Sequence, residues 1–264
     1  MLPDITPMIL TFNEEANIGR TLAKLTWANR IVVIDSGSTD RTLEIIGQHP
    51  QAVVIRRDFD SAAAQCNFGL TQIESEWVLS LDADYVLSDG LISEIGSLRP
   101  TDNIRGFWAR FVYRIFDHAL RASVYPPRAV LYRRSTAAYV DEGHTQRVRI
   151  DGEVLHLEHP IYHDDRKPIS RWFSSQARYA SLEASHLLTR DVSKLGRADR
   201  LRLLILPAPV LMFFYVLFIK RCLLDGWSGW YYTFQRVCAE TMLSIELLDR
   251  RLRSVAQPVH RKPM

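Results

Sequence analysis

Four short apolar runs, 5–11 (ITPMILT), 30–35 (RIVVID), 51–56 (QAVVIR) and 76–82 (EWVLSLD), alternate with helix-patterned stretches through the first third of the chain. Brief, continuous apolar runs belong to strands covered on both faces. Alternation at such short intervals predicts an α/β fold with a mostly parallel, doubly wound sheet flanked by helices. The first intervening stretch, NEEANIGRTLAKL, spaces Ile18, Leu22 and Leu25 as one helical face, with acidic residues expected in its first turn. The second, SGSTDRTLEII, offers Ser38 or Thr39 as an N-cap. SAAAQCNFGLTQI reads as the third helix.

Ligands in such sheets lie beyond the carboxyl ends of the strands. The polar clusters fall at those ends: Thr11 to Glu15, Asp35 to Asp40, and Asp82 to Asp84. Asp82 and Asp84 stand one residue apart after a buried strand and repel each other unless a cation lies between them. Mg²⁺ or Mn²⁺, which take carboxylates together with substrate phosphates, suit that position. Asp35 repeats the logic: it either accepts from a ribose or base imide, or caps a turn. No glycine-rich phosphate loop occurs, so a diphosphate would be held by metal and basic side chains. Arg128, Arg133 and Arg134 are candidates for that diphosphate or for an anionic acceptor. A formal charge of +3 is modest and does not by itself imply a nucleic-acid partner; none is expected.

After residue 104 the runs RGFWARFVYRIF, RAVLYRR and TQRVRI predict a mixed or antiparallel extension, and 168–190 a long helix. Residues 203–219 then run without a charge, too short at about 1.5 Å per residue for a simple span, with Pro207 and Pro209 expected to break the first half. Arginines flank both ends and DGWSGWYYTF follows, which suits a re-entrant or interfacial segment. Residues 233–253 continue as an amphipathic helix with Leu243, Leu247 and Leu248 on one side, ahead of a basic tail suited to anionic lipid. The start, MLPDITPMIL, lacks a signal-peptide pattern, and three scattered cysteines read as reduced thiols. The expected location is the cytoplasmic face of the inner (plasma) membrane, peripheral or monotopic.

ILTFNEEANIGRTL, VVIDSGSTDRT, AAQCNFGL and LSLDADYVLS, in this order, resemble family 2 glycosyltransferases of the GT-A fold, and more closely the bacterial lipopolysaccharide-core glucosyltransferase-like branch. The resemblance implies a GT-A domain over 1–190 and a membrane-associated helical region over 191–264. It implies a nucleoside diphosphate sugar, usually a UDP-sugar, contacted by Thr11, Asn13, Glu15, Asp35, Asn67, Asp82 and Arg128. Metal ligation falls to Asp84, with Asp82, and to His163 from HLEHPIYHDD. Relatives carry a basic residue before the asparagine of the third helix; here that slot is Cys66. An inverting transfer also needs a base for the acceptor hydroxyl, and YVDEGHTQRV supplies Asp141, Glu142 and His144, with Glu142 preferred and Asp141 second. The implied activity is metal-dependent inverting transfer to a lipid-linked or glycolipid acceptor among inner-membrane lipids. Transfer to a polyprenyl phosphate is the alternative, and a non-catalytic nucleotide-sugar-binding membrane protein a further one.

Overall fold

The computed structural model describes residues 1–142 and 145–256, which divide into two compact units, Met1–Lys167 and a second beginning at Pro168. The division falls before the long helix, which therefore groups with the second unit rather than closing the first.

The first unit is built on strands β1 (Ile5–Thr11), β2 (Ile31–Asp35), β3 (Ala52–Arg56), β4 (Trp77–Asp82), β5 (Tyr85–Leu87), β6 (Ile104–Ala109), β7 (Phe111–Ile115), β8 (His118–Ala119), β9 (Arg128–Arg133), β10 (Ala137–Glu142), β11 (Thr145–Ile150), β12 (Glu153–His156) and β13 (Ile161–His163). Among the described residues a seven-stranded sheet runs β12-β6-β9-β4-β1-β2-β3. Strands β1 to β4 are parallel, whereas β9 lies antiparallel between β4 and β6, so the mixed extension is part of the main sheet. The chain leaves β1 toward β3 and returns to place β4 on the other side of β1. That reversal opens a crevice at the carboxyl ends of β1 and β4.

Neighbouring side chains on one strand point to opposite faces, and the core divides accordingly. Val33 packs with Ile9 and Leu79 in one cluster, while Val32 and Ile34 pack with Met8 and Val78 in another. Helices α1 (Ile18–Ala23) and α4 (Asp89–Ser97) cover the first face, and α3 (Ala62–Thr71), capped by Ser61, covers the second. Gly69 permits the close approach of α3, since a Cβ there would lie 2.5 Å from Met8 Sδ. Two expectations about helix starts are corrected. Glu14 and Glu15 precede α1 instead of forming its first turn, and α2 (Thr42–Ile46) begins beyond Ser38 and Thr39. In both places the polar side chains are taken up by loop contacts described below.

The second unit comprises α5 (Ile169–Thr189), α6 (Arg197–Arg202), α7 (Pro207–Phe214), a π-helical turn over Tyr215–Ile219 and α8 (Gly226–Ala256). Ala180, Ala184 and Leu187 of α5 pack on Leu243 and Leu247 of α8, whereas Leu248 is exposed. Pro207 opens α7 rather than breaking it, because the first helical position needs no N–H partner. Among the described residues no single helix is long and apolar enough to cross a membrane. The segments 207–219 and 222–256 form a pair bent by 68°.

Candidate active site

Thr11 and Asp35 are register partners at the ends of β1 and β2. The buried Asp35 carboxylate accepts from Thr11 Oγ1 at 3.1 Å and Ser38 Oγ at 2.5 Å through one oxygen. Its other oxygen accepts from the N–H groups of Gly37 and Ser38 at 2.9 Å each. It therefore builds the turn that carries Ser38, with Gly37 supplying a positive φ of 89°. Asn13, itself at φ 56°, donates its N–H to Ser38 Oγ at 2.8 Å and accepts from Thr39 N at 2.7 Å through Oδ1. Glu15 accepts from Arg41 N at 3.1 Å. Thr11, Asn13, Glu15 and Asp35 are thus brought together, and they bind the 12–17 loop to the 36–41 loop around the mouth of the crevice.

Asp82 ends β4 opposite Leu10, and two residues on the chain enters β5, whose partner β13 places His163 across from Tyr85. His163 Nε2 lies 3.1 Å from Asp84 Oδ2. Three rings enclose the imidazole, with centroids 5.3 Å (Tyr85), 4.6 Å (Tyr113) and 4.7 Å (Tyr125) away, and the Tyr85 and Tyr125 hydroxyls are hydrogen-bonded to each other. Burial pushes the Asp84 carboxyl up, but His163 and then Lys167 outweigh it and hold the group at about 2. Asp84 is therefore an anion at neutral pH, yet its buried Oδ1 has no hydrogen-bond partner, and neither has His163 Nδ1. A buried anionic oxygen without a donor is costly, and a hard divalent cation at Asp84 would satisfy it. Among the described residues no three metal-ligating side chains converge. The expected set of Asp82, Asp84 and His163 is accordingly split: Asp84 and His163 form the pair, and Asp82 faces the neighbouring cavity. One carboxylate and one imidazole leave most positions for phosphate oxygens and water, the usual arrangement for Mg²⁺.

The segment after His163 is bound to the first loop by charges that the sequence did not single out. Asp164 N donates to Asp84 O at 3.1 Å. The Asp164 carboxylate, 2% exposed, accepts from Arg20 at 2.5 Å and Arg166 at 2.8 Å. Asn17 donates to Glu14 and Asp165 and accepts from Arg20 and Arg166 N, using both ends of its amide. Lys167 Nζ lies 2.6 Å from Glu14 Oε1. Burial raises the Glu14 carboxyl to about 7, with Lys167 opposing the rise and Asp84 adding to it. The dense charge run DDRK at 164–167 was the available signal; its partners lie nearly 150 residues away, beyond the reach of pattern reading.

A cavity of about 460 Å³ opens beside Asp82, lined among others by Tyr85, Trp108, Arg128, Tyr139 and Gln146. Arg128 lies over the Tyr125 ring at 4.9 Å. Although burial works against its charge, Tyr85, Tyr125 and Asp82 hold its pKa above the ordinary value. The base candidates separate by strand alternation. Asp141 shares a face of the β10–β11 hairpin with the cavity-lining Tyr139, Gln146 and Val148. Its Oδ1 accepts from Ala63 N at 3.1 Å, at the start of α3. Glu142 belongs to the opposite face, where its Oε2 meets Nε of Arg147, itself a cavity-lining residue, at 2.9 Å. His144 lies outside the described residues, as does the end of the basic tail.

Two expectations fail here. Asn67 uses both ends of its amide on the backbone of Tyr139, at 2.9 and 2.8 Å, tying α3 to β10 instead of facing a nucleotide. Arg133 pairs in register with Trp77, at the opposite end of β4 from Asp82, and is ion-paired to Glu76. Cys66 is buried under the sheet, so α3 presents no cation from that slot.

The crevice thus combines a reversed α/β sheet, acidic strand tips and a buried carboxylate–imidazole pair. Residues 8–113 match the model of Glycosyl transferase family 2. It is similar to the lipopolysaccharide core biosynthesis glycosyltransferase LpsC of Rhizobium meliloti (strain 1021), 27% identical over 86% of this chain and 87% of that one. It is also similar to an uncharacterized glycosyltransferase of Rickettsia bellii (strain RML369-C), 25% identical over 85% and 79%. The mannosyltransferase PcManGT of Pyrobaculum calidifontis, solved with GDP-Man and Mn²⁺, superposes with a TM-score of 0.53 at 14% identity. The match covers 97% of this chain and 88% of that one, a likeness of GT-A-like fold.

Proposed function

We propose that this glycosyltransferase moves a sugar, with inversion, from a nucleoside diphosphate sugar, a UDP-sugar first, to a lipid-linked or glycolipid acceptor of cell-envelope or lipopolysaccharide synthesis. The observation that carries the donor half is the buried, unpartnered Asp84 Oδ1 beside His163, next to a cavity at the end of β4. Asp84 and His163 would hold Mg²⁺ or Mn²⁺, which neutralises the leaving diphosphate. Thr11, Asn13, Glu15 and Asp35 shape the loops that receive the nucleoside. Asp82 and Arg128 face the sugar and diphosphate from the cavity wall. Asp141, on the strand face shared with the cavity-lining Tyr139 and Gln146, takes the proton of the acceptor hydroxyl as the new bond to the anomeric carbon forms and the bond to the diphosphate oxygen breaks.

The acceptor half is carried by the second unit, where Leu206, Val210, Phe214, Phe218, Leu224 and Trp227 are all exposed along one stretch. So continuous a run of exposed apolar side chains suits an interfacial dip into the cytoplasmic face of the inner membrane. LpsC, named for lipopolysaccharide core biosynthesis, supports the same direction.

Calorimetric titration with UDP and with GDP, each with and without Mn²⁺, tests the donor half; metal-dependent binding of one of them is expected. No binding of either would remove the donor reading. Co-sedimentation with anionic vesicles, compared with a Leu206→Asp/Trp227→Asp variant, tests the membrane half. Equal sedimentation of the two proteins would remove it.

A further inference from the structure

Helix α8 is apolar on two faces, and the second unit uses one of them. Leu243 and Leu247 of the inner face pack against α5. On the other side Cys238, Thr241, Ile245, Leu248, Leu252 and Val255 follow one another at steps of three and four residues, and Phe234, four residues earlier, continues the row. Phe234, Ile245, Leu252 and Val255 are each more than half exposed, and Leu248 is exposed as well. Every residue from Arg251 to Ala256 is exposed, so nothing among the described residues covers the end of the row. A row of large apolar side chains left open to water marks an interaction surface.

The spacing narrows what can cover it. Alternate steps of three and four give a 3.5-residue repeat, shorter than the 3.6 of a straight helix. Over the three heptads from Phe234 to Val255 such a row drifts by roughly 60° around a straight helix. A flat lipid surface would lose part of it, whereas a second helix wound around α8 in a left-handed supercoil keeps contact throughout. The charges beside the row point the same way. Arg250 is paired with Glu246 at 2.8 Å and Arg253 with Asp249 at 2.7 Å. Acids thus alternate with arginines here, where a helix lying on anionic lipid carries a basic border.

The same helix of a second copy fits this pattern. With Phe234, Thr241, Leu248 and Val255 at heptad positions d, Cys238, Ile245 and Leu252 fall at a. Isoleucine at a followed by leucine at d, as in Ile245 and Leu248, favours two parallel strands. In a parallel, in-register pair Ser244 meets the partner's Asp249 and Arg251 meets the partner's Ala256, so no like charges face each other across the seam. Packing on α5 already holds α8 helical, which removes the ordering cost that leaves short isolated helices marginal. We propose that α8 pairs, parallel and in register, with α8 of a second copy through this row, forming a two-fold dimer in which the two Cys238 thiols lie opposite each other.

The test is sedimentation velocity of the full chain in a mild non-ionic detergent, joined to crosslinking with a short bismaleimide. The wild-type chain should sediment as a dimer and crosslink through Cys238, because Cys66 and Cys222 are buried. Cys238→Ser should remain dimeric and lose the crosslink. Ile245→Asp/Leu252→Asp should weaken self-association about a hundredfold or more, since it buries four charges in the seam, and should keep its helical circular dichroism, since both side chains are exposed in the single chain. A monomeric wild-type chain, or a dimer that survives the double substitution, overturns the assignment. So does a dimer with no Cys238 crosslink, which is the mark of an antiparallel pair. A monomer whose binding to anionic vesicles is lost with Ile245→Asp/Leu252→Asp also overturns it and gives this face to lipid. Leu206 and Trp227 lie outside the row, so this reading and the membrane reading above fail separately.

Discussion

Replacing Asp84 with asparagine preserves the shape of the side chain and removes its charge. The carboxyl sits at about 2 in the folded protein, against an ordinary value of 3.8. A difference of nearly two units corresponds to about 2 kcal/mol of folding stability at neutral pH. The sign follows from the depression: the contribution is present above about pH 4 and is lost as pH falls toward 2. An amide cannot replace it, so the unliganded Asp84→Asn protein should be less stable by about 2 kcal/mol at pH 7. Ligand adds a second, separable effect. At a hundredfold excess over its Kd, a ligand that binds only the folded state stabilises by about 2.7 kcal/mol. Mn²⁺ with UDP should give that increment to the wild-type chain and little of it to the variant. Urea denaturation at pH 7, with and without Mn²⁺ and UDP, measures both. An equal ligand increment in the two proteins would falsify the metal assignment. A variant more stable than wild type without ligand would show instead that His163 and Lys167 do not compensate the buried charge.

Other outcomes follow from the same geometry. Once an acceptor is in hand, Asp141→Asn should lower turnover about 10²- to 10⁴-fold, whereas Glu142→Gln should stay within a few-fold; the reverse order would return the base to Glu142. Asn67→Ala strands the Tyr139 N–H and C=O and should cost about 2 kcal/mol in chemical denaturation, with UDP affinity changed less than threefold. Asp164→Asn leaves Arg20 and Arg166 without their shared carboxylate. It should lower stability by about 1–3 kcal/mol and weaken Mn²⁺-dependent UDP binding, because the segment that aims His163 is released.

β1 to β4 fall within a residue of the four apolar runs; burial on both faces leaves that trace in β1, β2 and β4, whereas β3 is an edge strand whose Val53 and Val54 are exposed. The acidic strand tips were legible for the same reason, since a carboxylate directly after a buried run is conspicuous. Helix starts were less so. Ser38 and the Glu14–Glu15 pair look like capping signals, yet they serve contacts between loops 25 or more residues apart. Local signals cannot tell a cap from a cross-loop bond.

What the sequence determined by itself was the order of strand and helix, the apolar faces and the identity of the carboxylates, all set by nearest neighbours along the chain. Tertiary structure decided what those groups are for. His163 meets Asp84 across 79 residues only because β13 pairs with β5. Alternation along β10 places Asp141 and Glu142 on opposite faces of the strand, and Asn67 is consumed by Tyr139 because α3 packs against that strand. Lys167 finds its ion-pair partner in Glu14, 153 residues away in sequence. Partnership between distant groups depends on how strands are ordered in the sheet, and no local pattern of residues records that order.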